Sequence, residues 1–156
     1  MKIISKSVSD TLKIGKLIAK RLKRGDIVCL FGEFGSGKTV LTKGVASGLG
    51  IKRNIVISPS FVLIREYRGR ETSLYHFDLY RLKAERDILN LGYEEYLYDD
   101  GITIIGWADR LKSLLPKEYL KIELLIKGDS ERLLQINGRG EHYKRLVEKI
   151  YEDIRH

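Results

Sequence analysis

The sequence predicts an α/β sandwich, in which a mixed, mostly parallel central sheet is flanked by helices. The first observation is that short apolar runs typical of buried strands alternate with segments of helical periodicity along the 156 residues. The second is a glycine-rich turn at residues 32–39, which separates one such strand from a helix. Together they indicate the P-loop NTPase form of this fold. We expect residues 1–156 to form a single domain, because no Pro/Gly/Ser-rich linker divides them.

The elements of the first half follow in chain order. An apolar stripe predicts a helix over 9–23, with a glycine just beyond its end. Residues 26–31 form an apolar run that predicts a buried strand, and 39–49 predict the helix after the glycine-rich turn. Aromatic and aliphatic runs at 61–67 and 73–80 flank a turn-like RGRET segment, which predicts a hairpin.

The second half continues the alternation of helices and strands. A charged helix is predicted over 83–91, and the apolar run 102–105 predicts another buried strand. Residues 119–127 and 132–137 flank the turn-like segment GDSE and predict an antiparallel pair. Apolar residues at helical spacing predict an amphipathic helix over 141–154.

The charge of the chain favours acidic or phosphate-rich partners. Lysine and arginine number 29 against 21 acidic residues, for a formal net charge of +8. These cations are spread along the sequence, with no block of five or six. Direct tRNA contact is therefore left open but is not expected as the main role.

Cysteine content and hydropathy indicate the setting of the protein. Cys29 is the single cysteine, so no internal disulfide is expected, and its position in an apolar run predicts a packed core thiol. No apolar run approaches the length that spans a bilayer, and no secretory signal is recognised at the start. We expect a cytoplasmic protein without a membrane partner.

Residues 32–39 match the pattern G-x-x-x-x-G-K-[ST] at every fixed position. Glycines let backbone N–H groups approach phosphate oxygens, and the following helix directs its positive end at the same anion. Lys38 is expected to reach the β and γ phosphates, and the Thr39 hydroxyl to bind Mg²⁺. The guanine-specific pattern N/T-K-x-D is absent, which favours ATP. The residues predicted to bind the nucleotide here are Gly32, Glu33, Phe34, Gly35, Ser36, Gly37, Lys38, Thr39 and Val40.

A P-loop enzyme also needs a carboxylate near the metal and a group that positions the attacking water or acceptor. Strand alternation in SLYHFDLYRL places His76, Asp78 and Tyr80 on one face. A buried Asp78 is costly unless it is paired or metal-bound, so it either serves the site or joins a structural network with His76 or Arg81.

Two further segments are candidates for the site. The run ITII is followed by Gly106 rather than by an acid, and Trp107 there is expected either to pack in the core or to contact substrate. Asp109 follows nearby. The hydroxyl-rich turn with Ser58 and Ser60 either forms a nucleotide-sensing, switch-like loop or supplies local caps.

The motifs GEFGSGKTVLTKG, SPSFVLIREY, LYHFDLYRL, GYEEYL and IIGWADRL, in this order, closely resemble the TsaE (YjeE) family of P-loop ATPases. SPSF and HFDLYR carry most of the specificity. The resemblance implies a cytoplasmic ATPase needed to form threonylcarbamoyladenosine (t6A) on tRNA. It also implies ATP and Mg²⁺ as cofactors, and the TsaD and TsaB proteins as partners whose complex ATP hydrolysis restores between turnovers.

The resemblance also assigns roles to single residues. It implies that Lys38 and Asp78 are catalytic, that Thr39 and Asp78 hold the metal, and that Ser60 keeps a hydroxyl in the switch-like loop. Thr11, in the N-terminal segment, and Arg132, in the late hairpin, are added to the nucleotide-binding residues on the same grounds.

Gly106 departs from the family pattern, which has a glutamate before the tryptophan. Phosphate binding does not depend on that carboxylate, but hydrolysis does if no other acid replaces it, and Asp109 and Glu33 are the candidates. An alternative is therefore a nucleotide-gated binding module of the same complex that hydrolyses negligibly. A small-molecule kinase on the same scaffold is a further alternative, although no segment resembles an arginine-bearing lid.

Overall fold

The computed structural model describes residues 1–52, 55–56, 63–97 and 99–156. The strands in these residues are β1 (Lys2–Ser5), β2 (Ile27–Phe31), β3 (Ile64–Arg68), β4 (Ser73–Asp78), β5 (Ile102–Gly106), β6 (Tyr119–Ile126) and β7 (Arg132–Arg139). The helices are α1 (Val8–Ala19), α2 (Lys38–Gly48), α3 (Glu85–Leu89), α4 (Tyr93–Leu97) and α5 (Glu141–Arg155), with a 3₁₀ segment at Ala108–Leu114.

Within the described residues, the seven strands form one sheet in the order β1-β7-β6-β2-β5-β4-β3. The pairs β6–β2, β2–β5 and β5–β4 are parallel. The pairs at the two edges are antiparallel. The predicted α/β class, with a mixed sheet that is parallel in the middle and flanked by helices, is confirmed.

Core side chains pack on both faces of the sheet, and β2 shows this most directly. Val28 and Leu30 belong to the core shared with α1, α2 and α5, whereas Ile27 and Cys29 point to the core under α3, α4 and the 3₁₀ segment. This alternation is that of a strand buried on both faces. Cys29 is fully buried, and burial raises the pKa of its thiol, as expected for a core residue rather than a nucleophile.

The predicted elements agree with the structure except at some ends and at two short elements. Helix α1 ends at Ala19 instead of residue 23, because the amides of Arg21 and Leu22 bond three residues back to Ile18 and Ala19 in a tight turn. The charged helix is shorter than predicted, at Glu85–Leu89. Strand β1 and helix α4 were not predicted, since four or five residues are too few to establish a period.

The predicted hairpin at 61–67 and 73–80 is present as β3 and β4, although residues 61 and 62 lie outside the described residues. No helix among the described residues is long and apolar enough to cross a membrane.

Helices α1 and α2 cross at two glycines. A Cβ on Gly15 would lie 2.7 Å from the Leu41 carbonyl oxygen and 2.8 Å from the Cα of Gly44. A Cβ on Gly44 would lie 2.5 Å from the carbonyl oxygen of Leu12. Since backbone atoms cannot give way as flexible side-chain ends do, this contact sets how closely α1 approaches the helix that follows the glycine-rich loop.

We predict that Gly15→Ala destabilises the protein, although alanine is the better helix former. Helix propensity alone would stabilise the variant by up to about 1 kcal/mol. The backbone clash should outweigh this gain and lower the free energy of unfolding by about 1–3 kcal/mol. Urea denaturation measures the difference. Gly128→Ala, where the added Cβ meets nothing nearer than 3.8 Å, is the control. A Gly15→Ala variant as stable as the wild type would contradict the packing argument.

Candidate functional site

The glycine-rich loop connects the end of β2 to the start of α2. Gly35 and Gly37 have φ angles of 79° and 105°, a conformation that favours glycine. Gly37 is the N-cap of α2, and no side chain caps the helix there. The first N–H groups of α2 therefore have no intrahelical partner, and the positive end of the helix faces outward.

At position 32, the base of this loop, there is room only for glycine. A Cβ there would lie 2.5 Å from the Ser36 hydroxyl oxygen and 2.7 Å from the carbonyl oxygen of Leu124 in β6. Ser36 is itself fully buried. The loop is thus packed against β6, which fixes the position of the amides that follow.

The Lys38 ammonium lies against the inside of the loop. It donates to the carbonyl oxygens of Gly32 and Glu33, the latter at 2.9 Å, and its Nζ is 4.0 Å from the centroid of the Trp107 ring. Burial lowers the pKa of Lys38, while the carboxylates of Asp78, Asp109 and Glu33 raise it, with Asp78 the strongest of the three. Asp109 and Glu33, the candidates to replace a missing glutamate, therefore both act electrostatically on the site.

Strand β4 supplies Asp78 and His76 from the face that strand alternation predicts. Asp78 is buried, and its Oδ1 accepts the Tyr80 amide at 3.0 Å, which orients the carboxylate. His76 is also buried, and burial lowers its pKa to about 4, against an opposing effect from Asp78. His76 is therefore neutral at pH 7, and no described residue hydrogen-bonds to its buried Nδ1.

Strand β5 ends in Gly106, and Trp107 follows directly. A Cβ on Gly106 would contact only the Phe77 carbonyl oxygen, at the ordinary distance of 3.4 Å. Trp107 has a left-handed backbone (φ 58°, ψ 43°), which is strained for a residue that is not glycine. Its ring contacts both the Lys38 ammonium and Tyr80, whose ring centroid is 4.9 Å away.

These groups enclose a cavity of about 440 Å³, within the usual range for small-molecule sites. Eight predicted site residues line it: Phe34, Gly35, Ser36, Gly37, Lys38, Thr39, Val40 and Asp78. Trp107, expected either to pack in the core or to contact substrate, lines the cavity, as do three residues that were given no role in the site: His76, Tyr80 and Gly106. Two signals in the sequence pointed to them, namely the alternation that places His76 and Tyr80 on the same face as Asp78 and the end of a parallel strand at residue 106.

Four predicted nucleotide-binding residues lie outside the cavity lining. Gly32 and Glu33 contribute carbonyl oxygens to Lys38 instead. Thr11 is buried, and its hydroxyl pairs with that of Ser5 at 2.7 Å. Arg132 donates to the Gly35 carbonyl oxygen at 3.2 Å and so contacts the loop from the side. Ser58 and Ser60, the predicted switch-like loop, lie outside the described residues.

No group of three or more His, Cys, Asp or Glu side chains in the described part of the chain could hold a metal ion alone. Thr39 and Asp78 nevertheless both line the cavity. One hydroxyl and one carboxylate suit Mg²⁺, which commonly takes few protein ligands and completes its shell with water and phosphate oxygens. The predicted metal residues thus fit a magnesium ion held jointly with a phosphate ligand.

The fold and the loop define a P-loop α/β protein, and comparison with known proteins agrees. Residues 5–134 match the family described as threonylcarbamoyl adenosine biosynthesis protein TsaE. The chain belongs to the TsaE family. A TsaE from Bacillus subtilis is 41% identical over 141 residues, covering 90% of this chain and 87% of the relative. One from Treponema pallidum is 38% identical over 136 residues, covering 87% and 99%. Both are named tRNA threonylcarbamoyladenosine biosynthesis proteins.

A crystal structure of YdiB from Bacillus subtilis has the same fold. Its TM-score is 0.86 at 36% sequence identity, and the match covers 99% of this chain and 95% of YdiB. The likeness therefore extends beyond residue 134, where the family match ends, into β7 and α5.

The buried His76 predicts a pH dependence of stability. Unfolded histidine titrates near 6.5, but folded His76 titrates at about 4, so the unfolded state binds more protons between these values. The unfolding free energy should therefore fall as the pH drops from 6.5 to 4, by roughly 3 kcal/mol from this residue. Urea denaturation without added metal should show that His76→Gln removes this part of the pH dependence. His156→Gln, at the exposed C-terminus, should retain it. Parallel pH profiles for wild type and His76→Gln would contradict the assignment.

Proposed function

We propose that the protein binds Mg·ATP at the glycine-rich loop, hydrolyses it slowly, and thereby supports t6A formation on tRNA through the TsaD–TsaB complex. One observation carries the proposal. The uncapped start of α2 and the Lys38 ammonium line the same cavity as the buried carboxylate of Asp78. Amides, a cation and an acid in one cavity are what a triphosphate with a magnesium ion requires.

The glycine-rich loop would bind the phosphates. The glycines at 35 and 37 open the backbone so that successive N–H groups can point at phosphate oxygens. Lys38 now rests on carbonyl oxygens and on the Trp107 ring, and all of these contacts can be exchanged for stronger charge-assisted bonds to phosphate. Because burial disfavours its charged form, Lys38 gains from an anionic partner more than an exposed lysine would.

Thr39 and Asp78 would hold the metal. Magnesium, when bound, neutralises charge on the phosphates and favours departure of the terminal phosphoryl group. The Tyr80 amide, which donates to Oδ1 of Asp78, helps to keep that carboxylate in a fixed orientation. Asp78 is the residue best placed to orient the attacking water, unless a partner protein supplies that group.

The biological role rests on the family. Relatives at 34–41% identity over most of the chain are named for t6A biosynthesis on tRNA. We propose the cytoplasm, where tRNA is modified, as the place of action. TsaD and TsaB are the proposed partners, as the resemblance of the motifs implies, and ATP turnover would restore their complex between rounds.

The second candidate is a nucleotide-gated binding module, and Gly106 favours it. Gly106 lines the cavity without a side chain, so the site lacks a carboxylate at the end of β5. Asp109 is exposed, in contrast to the buried Asp78, and is thus less able to hold a water molecule in a fixed position. A protein of this kind would bind its partners in the ATP state and release little phosphate.

Lys38→Ala should abolish the proposed activity. Phosphate release by the wild type should rise when purified TsaD–TsaB is added, and the variant should fall by on the order of 10²-fold or more, because the charge on the terminal phosphate loses its main protein cation. Lys43→Ala, on the same helix but outside the cavity lining, is the matched control. A Lys38→Ala variant that still releases phosphate at the wild-type rate would refute the proposed site.

Gly106→Glu separates the two candidates. The backbone accepts a side chain here, and the glutamate would extend from the end of β5 into the cavity. For a gated module, wild type binds ATP without phosphate release even with partners, and Gly106→Glu switches hydrolysis on. For an ATPase that relies on Asp78, wild type already turns over. Gly106→Gln controls for side-chain size without charge. Absence of ATP binding by wild type, measured by calorimetry, would reject both candidates.

A further inference from the structure

A concave basic surface lies away from the cavity that Lys38 lines. Three adjoining depressions form it, and Lys20 lines all three. Lys23 lines two of them, and both Arg145 and Lys149 of α5 line one. We call this surface the basic face and define it by six exposed residues: Lys20, Lys23, Arg24, Arg70, Arg145 and Lys149.

The basic face has little internal neutralisation. The acids in the three linings are Glu71, Glu152 and Asp153, and Asp153 already pairs with Arg21 at 2.7 Å. Arg24 pairs with Asp100 at 3.3 Å, and Lys20 acts electrostatically on Asp153. Within the part of the chain that the structure describes, no carboxylate forms a salt bridge with the other five cations: Lys20, Lys23, Arg70, Arg145 and Lys149. Uncompensated cations in a concavity produce a strong positive potential, which attracts anions.

The fold assembles this face from segments that are far apart in the sequence. The segment after α1, the β3–β4 turn and the middle of α5 each contribute cations. This is why the sequence, with no block of five or six cations, gives no nucleic-acid signature. The charge of +8 is therefore more localised in space than it is along the chain.

The basic face and the loop lie at opposite ends of the parallel strands. Lys23 and Arg24 lie in the turn before β2, whereas the glycine-rich loop comes directly after it. Five strand residues separate the two sites by roughly 16 Å. A ligand on the basic face therefore does not compete with one in the cavity.

The chemistry of the face identifies its partner. Four leucines line these depressions, of which Leu22 and Leu146 are buried and Leu17 and Leu49 half-buried. The exposed large apolar residues among the described residues all lie elsewhere. An interface with an acidic protein needs aromatic or aliphatic anchors and is depleted in lysine, whereas a nucleic-acid backbone is bound mainly by Lys and Arg. We infer that the basic face binds the phosphodiester backbone of RNA, independently of the nucleotide site.

Fluorescence anisotropy with end-labelled bulk tRNA tests the inference. Wild type should bind with an affinity that falls steeply as salt rises, by about 0.7–0.9 in log–log slope for each phosphate contacted. The triple variant Lys20→Glu/Lys23→Glu/Arg145→Glu should bind at least tenfold more weakly and with a salt slope lower by about 2–3. The same three positions changed to Gln should give an intermediate loss.

The matched control is Lys2→Glu/Lys83→Glu/Lys117→Glu, which has the same net charge but alters exposed lysines outside the basic face. It should retain wild-type affinity, and both triple variants should keep their melting temperatures and their ATP binding. Equal losses of tRNA affinity in the two triple variants would show that net charge alone causes the loss, and would overturn the inference. No binding of tRNA by wild type, or equal competition by polyglutamate of similar length, would also overturn it; the latter would assign the face to an acidic polypeptide.

Discussion

The register between three parallel strands is the constraint on which the site depends. Leu30 of β2 pairs with Gly106 of β5, and Gly106 pairs with Asp78 of β4, so the three strands end side by side. The glycine-rich loop continues from the first of these ends, Trp107 from the second and Tyr80 from the third. Since side chains alternate across a strand, a slip of one residue in β4 would turn Asp78 and His76 into the opposite core. The buried apolar residues of these strands fix the register. They therefore also determine that Asp78 and His76 face the site.

Burial and nearby charges have opposing effects on the pKa of Lys38 in this arrangement. Desolvation lowers its pKa, and three carboxylates from the loop, β4 and the 3₁₀ segment oppose that effect. Two carbonyl oxygens and the Trp107 ring hold the ammonium without neutralising it. Trp107, whose ring contacts the ammonium, has a strained left-handed backbone directly after β5.

Local patterns predicted the parts of the site that are local. The loop pattern was sufficient to place Lys38 and Thr39. The two-residue alternation of β4 left Asp78 between the site and a structural network, and the family resemblance assigned it to the metal. The structure brings all three into one cavity. Contacts that depend on the tertiary structure leave no such local pattern in the sequence. The pairing of Thr11 with Ser5 depends on β1, which is too short to be recognised in sequence, and Arg132 reaches Gly35 across 97 positions of the chain. The basic face could not be predicted from the sequence for the same reason, since its cations come together only after α5 packs on the sheet.

Helix α2 runs from the glycine-rich loop to the basic face. Its first turn forms the uncapped end at the loop, and its last residue, Gly48, lines a depression of the basic face. Eleven residues at 1.5 Å each give a rod of about 16 Å, the same as the length of β2 beside which it runs. The second half of the helix packs closely against α1, at Gly44 against Leu12 and at Gly48 against Ala19. The anion-binding end and the basic face are consequently fixed relative to each other, at a separation that lets a mononucleotide and a polyanion occupy them at the same time.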